Sequence, residues 1–184
     1  MTPLKLAVVV GSTREGRVGD RVAHWFIDEA GRHDDLTVTV VDLNEYDFPA
    51  SYPAEPTASI RAFVREVGRA EAFVVVTPEY NHSFPAPLKQ AIDYAYDEWQ
   101  AKPVGFVSYG CRSTGLHAVD QLRTVFTALH AMTVRDVVGL DLLAGEPTPL
   151  CTDELRRDIR ALLDQLRWWG LALRNGRAAR PYVS

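Results

Sequence analysis

The stretch Gly11-Ser12-Thr13-Arg14-Glu15-Gly16-Arg17 has the make-up of an anion cradle. Glycines let backbone approach closely, hydroxyls donate hydrogen bonds, and a guanidinium adds a charged, planar fork. The stretch follows the apolar run 4–10 and precedes a helical pattern, so its amides sit at a helix start, where unpaired N–H groups and a partial positive charge favour phosphate. A second stretch, Thr77-Pro78-Glu79-Tyr80-Asn81-His82-Ser83-Phe84-Pro85-Ala86-Pro87-Leu88-Lys89-Gln90-Ala91-Ile92-Asp93-Tyr94, follows the apolar, largely β-branched run 72–76. It places a polar and aromatic loop at the carboxyl end of a strand, where open α/β sheets bind ligands. Together the two loops fit a phosphate-bearing cofactor with a flat ring.

Other readings of the same residues stay open. The first loop also reads as a tight βα turn with polar residues facing water. It lacks the Gly-Lys-Ser/Thr ending of a nucleoside triphosphate loop, since Gly16 precedes Arg17-Val18. Its glycines, Gly11, Gly16 and Gly19, miss the Gly-x-Gly-x-x-Gly spacing of a dinucleotide fingerprint. Asp42 stands where a ribose reader could be, though such a residue is more often simply a helix or loop cap. In the second loop, amides from Glu79 to Asn81 can meet the polar edge of a ring, Tyr80 can pack on it, and Asn81 can donate and accept. Asn81 and Ser83 also suit capping of the next helix. A third loop, Ser108-Tyr109-Gly110-Cys111-Arg112-Ser113-Thr114-Gly115, can close the other side of the ring. Arg112 is a candidate for a donor's phosphate or a plain surface cation.

Hydrophobic periodicity supplies the scaffold. Apolar runs predict strands at 4–10, 36–41, 72–76, 103–109 and, briefly, 134–138. Helical spacing predicts helices at 17–30, 59–69, 85–96, 116–131 and 152–173. Three prolines make 44–57 a loop, 145–149 is a turn-rich connector, and the polar tail 175–184 is expected to fray. Strict alternation of strand and helix implies a parallel sheet covered on both faces by right-handed crossovers. Five strands suit the flavodoxin-like order 2-1-3-4-5, in one α/β domain over residues 1–184.

Composition narrows the function. With 184 residues and 47% hydrophobic content, the chain buries a core without staples. A net charge of -4 lacks the basic stripe of a nucleic-acid binder. No apolar run reaches membrane-spanning length and no leader pattern opens the chain. The two cysteines, Cys111 and Cys151, stand far apart, which fits a reducing, cytoplasmic setting. No nucleophile elbow occurs, and the five histidines form no ligand pair at helical spacing. Trp168 and Trp169 are costly to leave in water, so at least one is expected on the core or a second subunit.

The motifs 11–17 and 78–93 resemble the NAD(P)H-dependent FMN reductase family of the flavodoxin-like superfamily, over about residues 4–138. The resemblance implies one FMN per chain and a homodimer or homotetramer. It implies that Ser12 and Arg14 hold the phosphate with the amides near Val18 and Gly19. Pro78, Glu79, Tyr80 and Asn81 would line the isoalloxazine ring, and Ser108, Tyr109 and Gly110 its other margin. Where many relatives end the first loop in Ser-x-Asn, this chain reads Arg17-Val18-Gly19, making Arg17 the candidate to complete the cradle. The activity implied is transfer of hydride from NADPH or NADH through FMN to a quinone, flavin, azo compound or metal ion, with no protein acid or base required. A flavodoxin-type electron carrier without NAD(P)H turnover is the alternative, and a flavin-binding sensor a further one.

Overall fold

A computed structural model describes residues 2–142 and 152–183. Five parallel strands, β1 (Leu4–Val10), β2 (Leu36–Asp42), β3 (Ala72–Pro78), β4 (Pro103–Gly110) and β5 (Met132–Asp141), form one sheet in the order β2-β1-β3-β4-β5. The strands alternate with α1 (Gly19–Ala30), α2 (Ala58–Arg69), α3 (Ala86–Tyr94), α4 (Leu116–Ala128) and α5 (Asp153–Ala179). Side chains alternate across a strand, and the core divides accordingly. Leu6, Val8, Val10, Val74 and Val76 face α1 and α5, against Phe26, Leu162 and Leu166. Ala7, Val9, Phe73 and Val75 face the other layer, against Phe63, Leu88, Leu122 and Phe126. β3 and β4 are buried along their whole length, as central parallel strands must be. At Gly105 a methyl group would come within 2.7 Å of Leu162, so α5 lies close on β4 only because that side chain is missing.

The expected order and all five strand–helix units are present. Several boundaries differ, each for a local reason. α1 starts at Gly19 rather than Arg17, because Arg17 closes a turn onto the Arg14 carbonyl. α3 stops at Tyr94, and the chain continues through a 3₁₀ turn at Asp97–Trp99. That turn buries Trp99 completely among Phe63, Phe73 and Phe126, its indole N–H donating to the Ile92 carbonyl at 3.2 Å. α4 ends at Ala128, not Ala131. His130 takes a left-handed φ of 57°, and the Ala131 amide reaches back to Phe126 O, a Schellman ending without its usual glycine. β5 is twice the expected length. Val104 pairs with Thr133 and Phe106 with Val137, so a bulge in β5 breaks the alternation that marks a strand in sequence.

The loop 44–57 opens with a 3₁₀ turn at Leu43–Glu45, and its Tyr46 and Phe48 rings pack on Phe63. The tail is helical as far as Ala179 instead of frayed. Arg174 donates to the Thr2 carbonyl, Arg177 to that of Ala101, and the Tyr182 hydroxyl meets His130 Nδ1 at 2.8 Å. Trp168 and Trp169 are 64% and 38% exposed and pack edge to face on each other, so neither enters the core of the chain. The connector expected at 145–149 lies outside the described residues. No helix among the described residues is long and apolar enough to cross a membrane.

Candidate active site at the carboxyl edge of the sheet

The loops after β1, β3 and β4 meet at one edge of the sheet. The Gly11 amide donates to Val76 O at 2.9 Å, fastening the first loop to β3. A methyl at Gly11 would press within 2.9 Å of Leu88 and 3.2 Å of that carbonyl. Ser12 is thereby turned inward and fully buried. Its hydroxyl has no hydrogen-bond partner among the described residues, and neither has the buried hydroxyl of Tyr109. Both point at Gly19, where a methyl would lie 2.2 Å from Ser12 Oγ and 2.7 Å from the Tyr109 hydroxyl. α1 begins here on Val18 with no side-chain cap, so the first-turn amides keep their orphan character. Burial pushes the Tyr109 phenol up to about 12; the Ser12 hydroxyl beside it works the other way without reaching hydrogen-bond geometry. The phenol therefore stays protonated, a donor, through the physiological range. Two buried hydroxyls, an uncapped helix start and a glycine too crowded for a side chain thus meet at the end of the first loop.

Arg17 is engaged within the chain. Its guanidinium forks onto Asp42 at 2.7 Å and 2.5 Å, pairs with Asp20 through Nε at 2.6 Å, and donates to the Ser12 carbonyl. The hydrogen bond to Asp42 raises its pKa, against desolvation. Arg17 thus ties the first loop to the end of β2 and the start of α1. Asp42 is a cap, not a free ribose reader, since it also accepts from the Asn44 amide at 2.9 Å. Arg14 is exposed on the loop, beside Gly16, whose φ of 67° is the left-handed geometry of a turn.

Two of the three amides expected to meet a ring edge are engaged within the protein. Glu79 N donates to Tyr109 O at 2.9 Å and Tyr80 N to Ser83 O at 2.8 Å. Tyr80 to Ser83 is a tight turn closed by reciprocal bonds, with Asn81 and His82 both left-handed at φ 51° and 61°. The amide of Asn81 is the one that no backbone acceptor takes among the described residues. Tyr80 is 36% exposed, available to a ligand. Pro78 lies in register with Tyr109, and Gly110 packs close on Glu79 Cβ, so β3 and β4 deliver their loops side by side. Ser108 faces inward instead, its hydroxyl donating to Thr114 O at 2.8 Å and shaping the third loop. Gly115, at φ 89°, leaves no room beside Ser108 for a Cβ.

Four participants escape sequence reasoning. Asp20 holds Arg17 from one helical turn away, a spacing that flags only a surface pair. Gln121 on α4 donates to His82 O at 2.6 Å and accepts from Ser83 Oγ at 2.7 Å, latching the second loop. His82 and His117, thirty-five positions apart in sequence, have ring centroids 4.6 Å apart. No spacing rule joins them; only the neighbouring β3 and β4 loops do.

A doubly wound parallel sheet in the order 2-1-3-4-5, with polar and aromatic loops at its switch point, defines a flavodoxin-like α/β fold. Residues 4–145 match the model of the NADPH-dependent FMN reductase family, and the chain belongs to that family. An NAD(P)H-dependent FMN reductase of Schizosaccharomyces pombe is 36% identical over 136 residues, covering 68% of this chain and 66%, just under two thirds, of the relative. A quinone reductase of Pseudomonas putida is 30% identical over 179 residues, covering 89% and 93%. The flavoenzyme NAD(P)H:(acceptor) oxidoreductase of Paracoccus denitrificans superposes with a TM-score of 0.73 at 21% identity, over 89% of this chain and 97% of that one.

Proposed function

We propose that this chain is an NAD(P)H-dependent FMN oxidoreductase, passing electrons from NADPH or NADH to a small-molecule acceptor such as a quinone, free flavin, azo compound or metal ion. One observation carries the reading: the unpartnered, buried hydroxyls of Ser12 and Tyr109, aimed at a Cβ-less Gly19 beside an uncapped helix start. Buried polar atoms without partners are rare and costly, and a phosphate monoester would satisfy both. The names of the two curated relatives support the same reaction.

FMN, when bound, supplies the two-electron chemistry. The chain's residues bind and orient it. Ser12 Oγ and the protonated Tyr109 phenol donate to the phosphate, with the amides of Val18 and Gly19, and Arg14 is placed to cover it from solvent. Arg17 acts through the Ser12 carbonyl, holding the loop in shape. Pro78, Glu79, Tyr80, Asn81 and Gly110 line the ring, with the Asn81 amide as the donor to its polar edge. Exclusion of water from the phosphate end is set by the closeness of Gly11 and Gly19. We further place the protein in the cytoplasm as a homodimer or homotetramer, on the family resemblance and, for assembly, on the exposed Trp168–Trp169 pair. Sedimentation of a Trp168→Ala, Trp169→Ala variant tests the latter; an unchanged assembly removes that role.

The test of function is a pair of titrations, with FMN and with riboflavin, followed by steady-state oxidation of NADPH and NADH with a quinone acceptor. FMN should bind far more tightly than riboflavin and support turnover. FMN binding without turnover would return the electron-carrier alternative, and equal affinity for riboflavin would remove the phosphate seat.

A further inference from the structure

We propose that Glu79, His82 and His117 form a binding site for a borderline divalent transition-metal ion of the Zn²⁺, Co²⁺, Ni²⁺ class. The inference stands whether or not a flavin binds.

The three side chains each offer a ligand atom, and those atoms lie within 4.8 Å of one another. A tetrahedral ion bound at about 2.0–2.1 Å per bond brings ligand atoms to about 3.3 Å apart. Both imidazoles are exposed, so rotation about their side-chain bonds closes the difference without moving backbone. The carboxylate needs no such motion. Glu79 keeps only 9% of its side chain exposed, and its Oε2 accepts from the His117 amide at 3.1 Å. That bond fixes the orientation of the carboxylate and leaves Oε1 facing His82 Nδ1, 3.8 Å away. Metal-ligating carboxylates are commonly oriented by a second hydrogen bond of this kind.

The backbone holds the two histidines together at some conformational cost. His82 sits at φ 61° directly after Asn81 at φ 51°, a left-handed pair that β-carbon-bearing residues avoid. Gln121 clamps that turn on α4, bonding both the His82 carbonyl and the Ser83 hydroxyl. Gln121 and His117 lie one helical turn apart, so the clamp and the ligand share a face of α4. The turn therefore cannot carry His82 away from His117 without breaking both bonds. The donor set selects the metal. Two imidazoles and one carboxylate suit Zn²⁺, Co²⁺ or Ni²⁺, while Ca²⁺ and Mg²⁺ demand more oxygen ligands. Three protein ligands leave a position for water or for an acceptor's oxygen. Since the Glu79 amide is bonded to Tyr109 O, a bound ion would also stiffen the strand-end pairing that carries the ring loop.

The experiment uses the full chain freed of flavin, in a Cys111→Ser, Cys151→Ser background so that thiols do not compete. Co²⁺ is titrated and its visible absorption followed, with Zn²⁺ measured in parallel by calorimetry. One ion per chain is expected, with Mg²⁺ failing to compete. His82→Ala, His117→Ala should abolish binding, His24→Ala should leave it unchanged, and Gln121→Ala should weaken it about tenfold, as loss of an orienting partner does. Where the double variant does not fold, the paramagnetic shifts caused by Co²⁺ in the parent protein decide the matter. Shifted imidazole resonances from both His82 and His117 support the site. Absence of saturation, binding that survives loss of both histidines, or shifts confined to other histidines would each overturn it.

Discussion

The two ends of the sheet treat buried polar groups in opposite ways. At the amino edge, side-chain cations are matched from within. Lys102 Nζ donates to Val67 O at 3.2 Å and Gly68 O at 3.1 Å, closing the carbonyl end of α2. Arg174 and Arg177 do the same for the carbonyls of Thr2 and Ala101. At the carboxyl edge the hydroxyls of Ser12 and Tyr109 are buried and unmatched. A buried polar group with its partner in the chain reads as stability, and one without a partner fits the proposed role in binding. The comparison assigns the two ends of the fold before any reaction is considered.

The largest effect should separate the ends by pH. Burial, reinforced by the charge of Arg177, lowers Lys102 from 10.5 to about 8. Between those values the unfolded chain holds a proton that the folded chain has released, so stability rises with pH across the window. The upper limit of the gain is about 3 kcal/mol. Denaturant melts from pH 8 to 10.5 should show the rise in the parent and lose it in Lys102→Met. Tyr109 gives the reverse. Its phenol, raised from 10.0 to about 12, favours the folded state while unfolded chains still hold the proton. That advantage, about 2.5 kcal/mol at most, drains away as pH climbs from 10 to 12. Tyr109→Phe should flatten this second limb and leave the first intact.

Gly19→Ala should cost about 1–3 kcal/mol through overpacking against Ser12 and Tyr109. FMN affinity should fall more steeply than riboflavin affinity, and a uniform loss would mean that the phosphate sits elsewhere. Ser12→Ala sharpens the contrast most, with the smallest energy. Removing an unmatched hydroxyl should leave stability unchanged or raise it by about 1 kcal/mol, while FMN binding weakens about tenfold. Thermal melts and fluorescence titration read the two signs side by side.

The sequence made the scaffold legible wherever burial was continuous. The runs at β1, β3 and β4 are nearly continuous in apolar residues because both faces are covered, with Lys5 the exposed break in β1. Legibility failed where geometry was irregular or partners were distant. The β5 bulge hid half of that strand. A histidine stood in for glycine at the end of α4. Asn175 and Gly176 read as a fraying tail because the carbonyls that hold Arg174 and Arg177 come from the opposite terminus and from residue 101. The loops after β1, β3 and β4 were visible as compositions at strand ends, and the structure brings Ser12, Gly19 and Tyr109 together there. The engagement of Arg17 by Asp42, and of two ring-loop amides by their neighbours, depends on tertiary pairing that no local pattern encodes. The meeting of His82 and His117 is the same kind of fact.

The irregular register of β5 has an outcome beyond the site. The bulge disrupts the row of amides and carbonyls along one margin of the sheet, which makes poor docking for a foreign strand. The other margin, β2, pairs with β1 in unbroken register and leaves Val40 53% exposed. Any cross-chain β pairing that begins when the protein is stressed will therefore start from β2, and two β2 margins that meet close as a pair with no further free edge to extend.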